Sequence, residues 1–213
     1  NKGSLKAKDE RMCEMMPIFF NEILKDNYYG KIKALYIDFD GVIIDLDVRK
    51  AIYKTLKKFN IDNFEYPKSF FNPNEYFKEY GLDKDSIKVY DDELDKTVSL
   101  NKSLLNQLKE IDIPKYIVTK SNKKRVIDYL KKYNIEKEFE SIFSITKNKK
   151  NIEKIQTKLN FKEEDILYIG DSFQNDIKPF YNLGMRCVSF YAYSVNFIDN
   201  NWLKHLIQFY NEK

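Results

Sequence analysis

Short apolar runs and longer amphipathic segments alternate along most of this chain. Apolar runs bounded by turn residues predict buried strands, and apolar residues every three or four positions predict helices. The predicted strands cover 33–38, 115–119, 141–145, 166–170 and 186–190. The predicted helices cover 8–26, 47–59, 101–110, 122–133, 151–159, 175–183 and 200–210. Strands that alternate with helices along a chain are typical of βαβ units. We therefore predict an α/β fold: a three-layer, Rossmann-like parallel sheet with helices on both faces.

The segment from residue 60 to residue 98 interrupts this alternation. It has no strong strand pattern, and it contains the stretch PNEYFKEYG, which predicts a helix, and the acidic run DDELD, for which we expect a solvated surface. We interpret it as part of a small helical insert. The predicted regions are an N-terminal helical extension (1–30), a core (31–46 and 99–213) and the helical insert (47–98).

Composition and charge disfavour several classes of protein. Of the 213 residues, 43% are hydrophobic and 33% are charged, which is typical of a soluble globular protein of this length. The net charge of +4 is spread along the chain and Arg is scarce beside Lys, so nucleic-acid binding is not expected. No apolar run approaches the length that spans a membrane. The two cysteines are far apart and match no metal-binding spacing, so we expect a protein of the reducing cytoplasm.

Acidic and hydroxyl side chains stand where the predicted strands end. In chain order they are Asp38, Asp40, Thr119, Asp171 and Asp176. Ligands of parallel sheets bind outside the carboxyl ends of the strands, so we expect these side chains to lie together. Converging carboxylates repel each other unless a cation lies among them, and oxygen donors without His or Cys suit Mg²⁺.

A lysine-rich segment follows the predicted strand 141–145. It contains Lys147, Lys149 and Lys150, just before a predicted helix. Lysine and hydroxyl groups suit phosphate oxygens, and a carboxylate beside them can act as a nucleophile that forms an aspartyl-phosphate.

Four motifs in this order resemble those of the haloacid dehalogenase (HAD) superfamily, in its phosphatase branch. YIDFDGV matches the first motif, YIVT the second and YIGDSFQNDI the fourth, while TKNKK stands where the third motif has its lysine. The similarity runs from about residue 33 to residue 192. The resemblance implies a HAD core with a small α-helical cap between the first two motifs, at the predicted insert.

The resemblance implies a role for each motif residue. Asp38 is expected to attack phosphorus, and Asp40 to protonate the leaving alcohol and then to activate water. Thr119 and the motif lysine are expected to hold the phosphoryl oxygens. Asp38, the backbone carbonyl of Asp40 and Asp171 are expected to bind Mg²⁺, with Asp176 supporting the metal site.

The identity of the motif lysine stays open at this point. Many relatives have Pro directly after it, and this chain does not. Lys149 and Lys147 are joint candidates, and Lys150 is the third. The neighbouring run KSNKKR, residues 120–125, is interpreted as a helix start with solvated charge.

The resemblance therefore implies a Mg²⁺-dependent phosphomonoester hydrolase that acts through an aspartyl-phosphate on a small phosphorylated metabolite. The stretch YFKEYGL is weakly similar to the cap of pyrimidine 5′-nucleotidase-like members, so a nucleotide is one candidate substrate. Two alternatives stay open: a phosphomutase or phosphotransferase that uses the same two aspartates, and a noncatalytic HAD-like interaction domain of a larger protein. The oligomeric state is not indicated by the sequence.

Overall fold

The computed structural model describes residues 31–67 and 72–190, together with Leu203 and Ile207. The strands are β1 (Ala34–Ile37), β2 (Ile44–Asp45), β3 (Ser99–Leu100), β4 (Lys115–Thr119), β5 (Ser141–Ser144), β6 (Ile166–Gly170) and β7 (Arg186–Ser189). The helices are α1 (Val48–Lys58), α2 (Pro73–Glu79), α3 (Lys84–Asp95), α4 (Lys102–Lys109), α5 (Lys123–Lys132), α6 (Lys149–Leu159) and α7 (Lys178–Tyr181). Five strands form a parallel sheet in the order β5-β4-β1-β6-β7, which confirms the predicted α/β fold class.

Helices cover both faces of the central strand. Successive strand residues face opposite sides of a sheet, and every residue of β1 is fully buried. Leu35 and Ile37 belong to an apolar cluster with α4 and α5, whereas Ala34 and Tyr36 belong to one with α6 and α7. With both faces covered, the carboxyl ends of the strands are the part of the sheet that is open to a ligand.

Two predicted helices fall wholly or largely outside the described residues. The helix predicted over 8–26 lies outside them. Of the helix predicted over 200–210, the structure describes Leu203 and Ile207, which are helical and buried in the first of the two clusters. Among the described residues, none of the helices combines the length with the apolar composition that a membrane span requires.

Helices α1, α2 and α3 share an apolar cluster of their own. Its buried members are Ala51, Ile52, Leu56, Tyr76, Phe77 and Tyr90. The chain enters and leaves this segment through β2 and β3, which pair antiparallel, with Ile44 opposite Leu100. Neither strand is predicted from the sequence, because two residues are too few to show a period. The separate cluster supports the division into core and insert, which stays a prediction.

One residue of the acidic run DDELD is buried, so the expectation of a solvated surface is wrong at that position. Glu93, in α3, is 3% exposed, and its carboxylate accepts hydrogen bonds from Nζ of Lys58 at 2.7 Å and Nζ of Lys96 at 2.6 Å. Nζ of Lys54 lies 3.8 Å from its other oxygen. These hydrogen bonds lower the pKa of Glu93 to about 2. Two of the three lysines belong to α1, so only the packing of α1 against α3 reveals the cluster.

Candidate active site

A pocket of about 740 Å³ opens at the carboxyl ends of β1, β4 and β6. Its lining includes six of the residues predicted for the site: Asp38, Asp40, Thr119, Lys147, Asp171 and Asp176. The N–H of Asp38 donates a hydrogen bond of 2.8 Å to the carbonyl of Ile169, so the backbone of Asp38 is held by the neighbouring strand. The convergence expected from the strand ends is thus present in the structure.

Lys147 lies between two of the acidic residues. Its Nζ is 2.8 Å from Oδ1 of Asp38 and also contacts Oδ1 of Asp176. The side chain of Lys147 is 1% exposed, and its Nζ lies 5.6 Å from the ring centroid of Tyr168. A lysine this deeply buried needs paired charges, and the two carboxylates supply them.

The three candidate lysines are separated by the start of α6. Asn148 caps this helix, since its Oδ1 accepts a hydrogen bond of 3.0 Å from the N–H of Asn151. Lys149 begins the helix, is 75% exposed at its side chain, and lies 3.8 Å from Glu153. Lys150 is also exposed. The joint candidacy of Lys149 is therefore not supported by the geometry, because the first turn of α6 directs that side chain to solvent and away from the pocket.

Three carboxylates form a compact group of oxygen donors. Asp38, Asp171 and Asp176 each offer one oxygen, and these atoms all lie within 4.8 Å of one another. Burial raises the pKa of Asp38, an effect that Lys147 partly offsets, and burial together with the carboxylates of Asp176 and Asp38 raises the pKa of Asp171. A hard divalent cation would stabilise the ionised form of all three, so this donor set fits Mg²⁺.

The loop after β6 fixes Asp176 through several contacts. The N–H of Ser172 donates a hydrogen bond of 2.9 Å to Oδ2 of Asp176, and the hydroxyl of Tyr168 lies 3.2 Å from Oδ1. Gly170 permits the close approach, because a Cβ atom there would lie 2.5 Å from Cβ of Asp176. The π turn Phe173–Ile177 thus returns Asp176 to the end of the strand that leads to it.

A family model described as haloacid dehalogenase-like hydrolase matches residues 35–190, a range that contains all the pocket residues. This chain belongs to the HAD-like hydrolases. No curated protein matches its sequence significantly.

Solved structures of HAD proteins share the fold of this HAD-like hydrolase. YfnB from Bacillus subtilis, described as a HAD hydrolase bound to magnesium, has a TM-score of 0.62 at 18% identity, over 85% of this chain and 100% of its own. A subfamily IA HAD hydrolase from Geobacter sulfurreducens has a TM-score of 0.62 at 13% identity, over 84% and 97%. A predicted phosphoglycolate phosphatase from Haemophilus somnus has a TM-score of 0.56 at 18% identity, over 75% and 85%. At these identities the likeness shows the fold.

The side chain of Asp40 makes different contacts from those of the other acids. Oδ1 of Asp40 accepts a hydrogen bond of 2.8 Å from Nη1 of Arg125, and Oδ2 accepts one from the hydroxyl of Ser121. Among the described carboxylates, those grouped closely enough to share one ion are the three named above, without Asp40. The predicted contribution of Asp40 to the metal site therefore depends on its backbone carbonyl.

Sequence reasoning missed Arg125 and Ser121. The run KSNKKR does contain a helix start, because Oδ1 of Asn122 accepts a hydrogen bond of 2.9 Å from the N–H of Lys124 and caps α5. Its charge is not all solvated, since the side chain of Arg125 is 27% exposed and reaches Asp40. A usable signal was present: a helix that follows a strand of this HAD sheet begins at the ligand-binding edge, so its first turn lies near the site.

The end of β4 carries the predicted hydroxyl and links two loops. Thr119 is 2% exposed, and its hydroxyl oxygen accepts a hydrogen bond of 3.1 Å from the N–H of Ser121. Lys120 lies beside it, and its Nζ donates a hydrogen bond of 2.9 Å to Oδ1 of Asn175 in the loop after β6. In this HAD core, the residue that follows the second motif is thus joined directly to the fourth motif at the pocket.

Proposed function

We propose that this protein is a Mg²⁺-dependent phosphomonoesterase that hydrolyses a small phosphorylated metabolite through an aspartyl-phosphate at Asp38. The observation that carries the proposal is the meeting of Asp38, Lys147, Asp171 and Asp176 in one pocket at the carboxyl edge of the sheet. Grouping three carboxylates, two of them buried, beside one buried lysine costs folding stability, which is consistent with a site that ligands complete. A phosphate and a divalent cation are the ligands that suit this combination of charges.

Asp38 and Asp40 divide the chemistry in the proposed reaction. A carboxylate oxygen of Asp38 attacks phosphorus, and the bond between phosphorus and the leaving oxygen breaks. Asp40 gives a proton to that oxygen, so that an alcohol departs and the phosphoryl group stays on Asp38. Asp40 then takes a proton from water as the water oxygen attacks phosphorus, and the bond to Asp38 breaks. Inorganic phosphate leaves, and both aspartates return to their starting states.

Lys147 and Thr119 are the proposed partners of the phosphoryl oxygens. Both are almost fully buried and both line the pocket. Groups that are already fixed before the reaction stabilise developing charge without having to reorganise. Lys149 is not part of this proposal, because its side chain is exposed and lies beside Glu153.

Asp38, Asp171 and Asp176, with the backbone carbonyl of Asp40, are the proposed ligands and supporting residues for Mg²⁺. The support comes from the grouping of their oxygens within 4.8 Å and from the raised pKa values of Asp38 and Asp171. When bound, the ion would offset negative charge on the transferred phosphoryl group.

The pocket supports a small substrate. Its volume of about 740 Å³ is that of a typical small-molecule site. On the side of the insert it is lined by Asp47, Val48 and Lys50, near the start of α1, and these residues are placed to contact the part of the substrate beyond the phosphate. A nucleoside monophosphate is one candidate, and the scarcity of cysteine supports a cytoplasmic setting.

The test is phosphate release from p-nitrophenyl phosphate and from a panel of phosphorylated metabolites, with nucleoside monophosphates first. We expect turnover that requires Mg²⁺, stops with EDTA and is lost in Asp38→Asn. Asp92→Asn, which changes an exposed acid of α3, is the matched control and should keep full activity. Turnover that persists in Asp38→Asn, or that is indifferent to the chelator, would contradict the proposal.

The same experiment separates the alternatives. A phosphomutase would return the phosphoryl group to a second position of the substrate, which product analysis by ³¹P NMR would reveal. Mg²⁺ binding without turnover over the whole panel would favour a noncatalytic interaction domain. The intact set of Asp38, Asp40, Asp171 and Asp176 argues against the noncatalytic alternative.

A further inference from the structure

Arg125 contacts two acidic side chains from different parts of the chain. Its Nη1 lies 2.8 Å from Oδ1 of Asp40, and its Nε lies 3.5 Å from Oδ1 of Asp95, the last residue of α3. The centre of its guanidinium also lies 5.2 Å from the ring centroid of Tyr129, further along α5. Two carboxylates and an aromatic ring together restrict the orientation of a planar guanidinium.

The second oxygen of Asp40 is held as well. The hydroxyl of Ser121 donates to Oδ2 of Asp40, and Ser121 is itself held by its neighbours. Its N–H donates to the hydroxyl oxygen of Thr119 at 3.1 Å, and its carbonyl accepts a hydrogen bond of 2.6 Å from the hydroxyl of Ser144. Each oxygen of Asp40 therefore has one donor, and the plane of the carboxylate is set by Arg125 on one side and Ser121 on the other.

From these contacts we infer that Arg125 is a positioning residue, which orients the carboxylate of Asp40 for proton transfer and does not itself touch the phosphoryl group. The inference rests on the function proposed above. Asp40 lines the pocket, whereas Arg125 is not among the residues that line it. A general acid acts only within hydrogen-bond reach of the leaving oxygen, so a side chain that is 28% exposed needs a partner that limits its rotation.

A purely structural role would have different consequences. Arg125 also joins α5 to the end of α3 through Asp95, and that contact alone would affect stability. Loss of a structural contact lowers the melting temperature and acts independently of Asp40. Loss of a positioning contact lowers kcat and has no further effect once Asp40 has lost its acid and base function.

The experiment measures steady-state kinetics of Arg125→Gln and Arg125→Lys, each in the wild-type and the Asp40→Asn backgrounds. The substrates are p-nitrophenyl phosphate, whose leaving group needs little protonation, and an alkyl phosphate, whose leaving group needs a proton. We expect Arg125→Gln to lower kcat about tenfold or more on the alkyl phosphate, with little change in KM. On p-nitrophenyl phosphate the loss should be smaller but clearly greater than about twofold, because Asp40 also activates water in the second step for both substrates. Arg125→Lys should retain part of the kcat that is lost in Arg125→Gln. Lys124→Gln removes one charge from the exposed neighbouring residue and should change neither parameter.

In the Asp40→Asn background, Arg125→Gln should lower kcat on p-nitrophenyl phosphate by no more than about twofold. An equal loss in both backgrounds would overturn the inference in favour of a structural role. So would an unchanged kcat in Arg125→Gln while Asp38→Asn abolishes turnover, and in that case the proposed function stands. A wild-type protein without Asp38-dependent turnover would overturn the proposed function and this inference with it. Thermal unfolding of each variant checks the fold, and Arg125→Lys carries the test if Arg125→Gln does not fold.

Discussion

The backbone at Gly41 passes directly against the side chain of Asp171. A Cβ atom at Gly41 would lie 2.2 Å from Oδ2 of Asp171, which no ordinary contact allows. Gly41 also has φ of +78°, a conformation that residues with a side chain rarely adopt. The turn after the first motif therefore requires glycine for two separate reasons, and one of them concerns an acid of the candidate metal site.

Substitution of Gly41 by Ala is predicted to lower Mg²⁺ affinity as well as stability. The matched control is Gly81→Ala, because Gly81 has φ of +73° and no described atom lies within 4 Å of its added Cβ. Both variants should lose about 1 kcal/mol or more of folding free energy to backbone strain. Only Gly41→Ala should show a reduced increase in melting temperature on addition of Mg²⁺. The same Mg²⁺ response in both variants would contradict this prediction.

Removal of the buried lysine is predicted to abolish most activity. Lys147→Met leaves Asp38 and Asp176 without their shared partner, so turnover should fall by about a hundredfold or more. Lys149→Met and Lys150→Met, at exposed positions of α6, should keep activity close to that of the wild type. The measurement is kcat on p-nitrophenyl phosphate. A greater loss in Lys149→Met than in Lys147→Met would show that the wrong lysine is assigned.

Loss of one acid of the candidate metal site is predicted to separate stability from activity. Burial and the neighbouring carboxylates raise the pKa of Asp171, so its ionised form destabilises the metal-free fold, and this cost grows as pH rises above the ordinary carboxyl range. Asp171→Asn should therefore unfold at a higher temperature than the wild type in EDTA at neutral pH, while losing Mg²⁺-dependent stabilisation and turnover. Asp92→Asn should behave as the wild type does. A lower melting temperature of Asp171→Asn in EDTA would count against the repulsion.

Glu93 is predicted to make stability depend on pH in the acid range. Hydrogen bonds from Lys58 and Lys96 lower its pKa from an ordinary value of 4.5 to about 2, so its contribution is fully present above 4.5 and is lost as pH falls towards 2. Glu93→Gln should be less stable than the wild type at pH 7, and the difference should shrink between those two values. Denaturant unfolding across this range is the measurement, with Asp92→Asn as the control. A difference that is independent of pH would contradict the prediction.

Much of the fold and the acidic part of the site followed from local sequence patterns. Apolar runs and amphipathic periods locate the strands and helices, because the spacing of apolar residues along the chain depends on which face of each element is buried. The proximity of the acids after β1 and β6 could be predicted, since parallel strands in one sheet end at the same edge. Local patterns are therefore enough to predict the α/β class, the position of the pocket and the convergence of Asp38, Asp171 and Asp176.

The cationic side chains that contact these acids are known only from the three-dimensional packing. An α-helix has 3.6 residues per turn, so the residue at which α6 begins decides whether Lys147 or Lys149 reaches Asp38. The spacing of the lysines in the sequence does not locate that residue. The contact of Arg125 with Asp40, the lysines around Glu93 and the pairing of β2 with β3 each join segments that are distant in sequence. Such contacts depend on how separate elements pack, which no local pattern encodes.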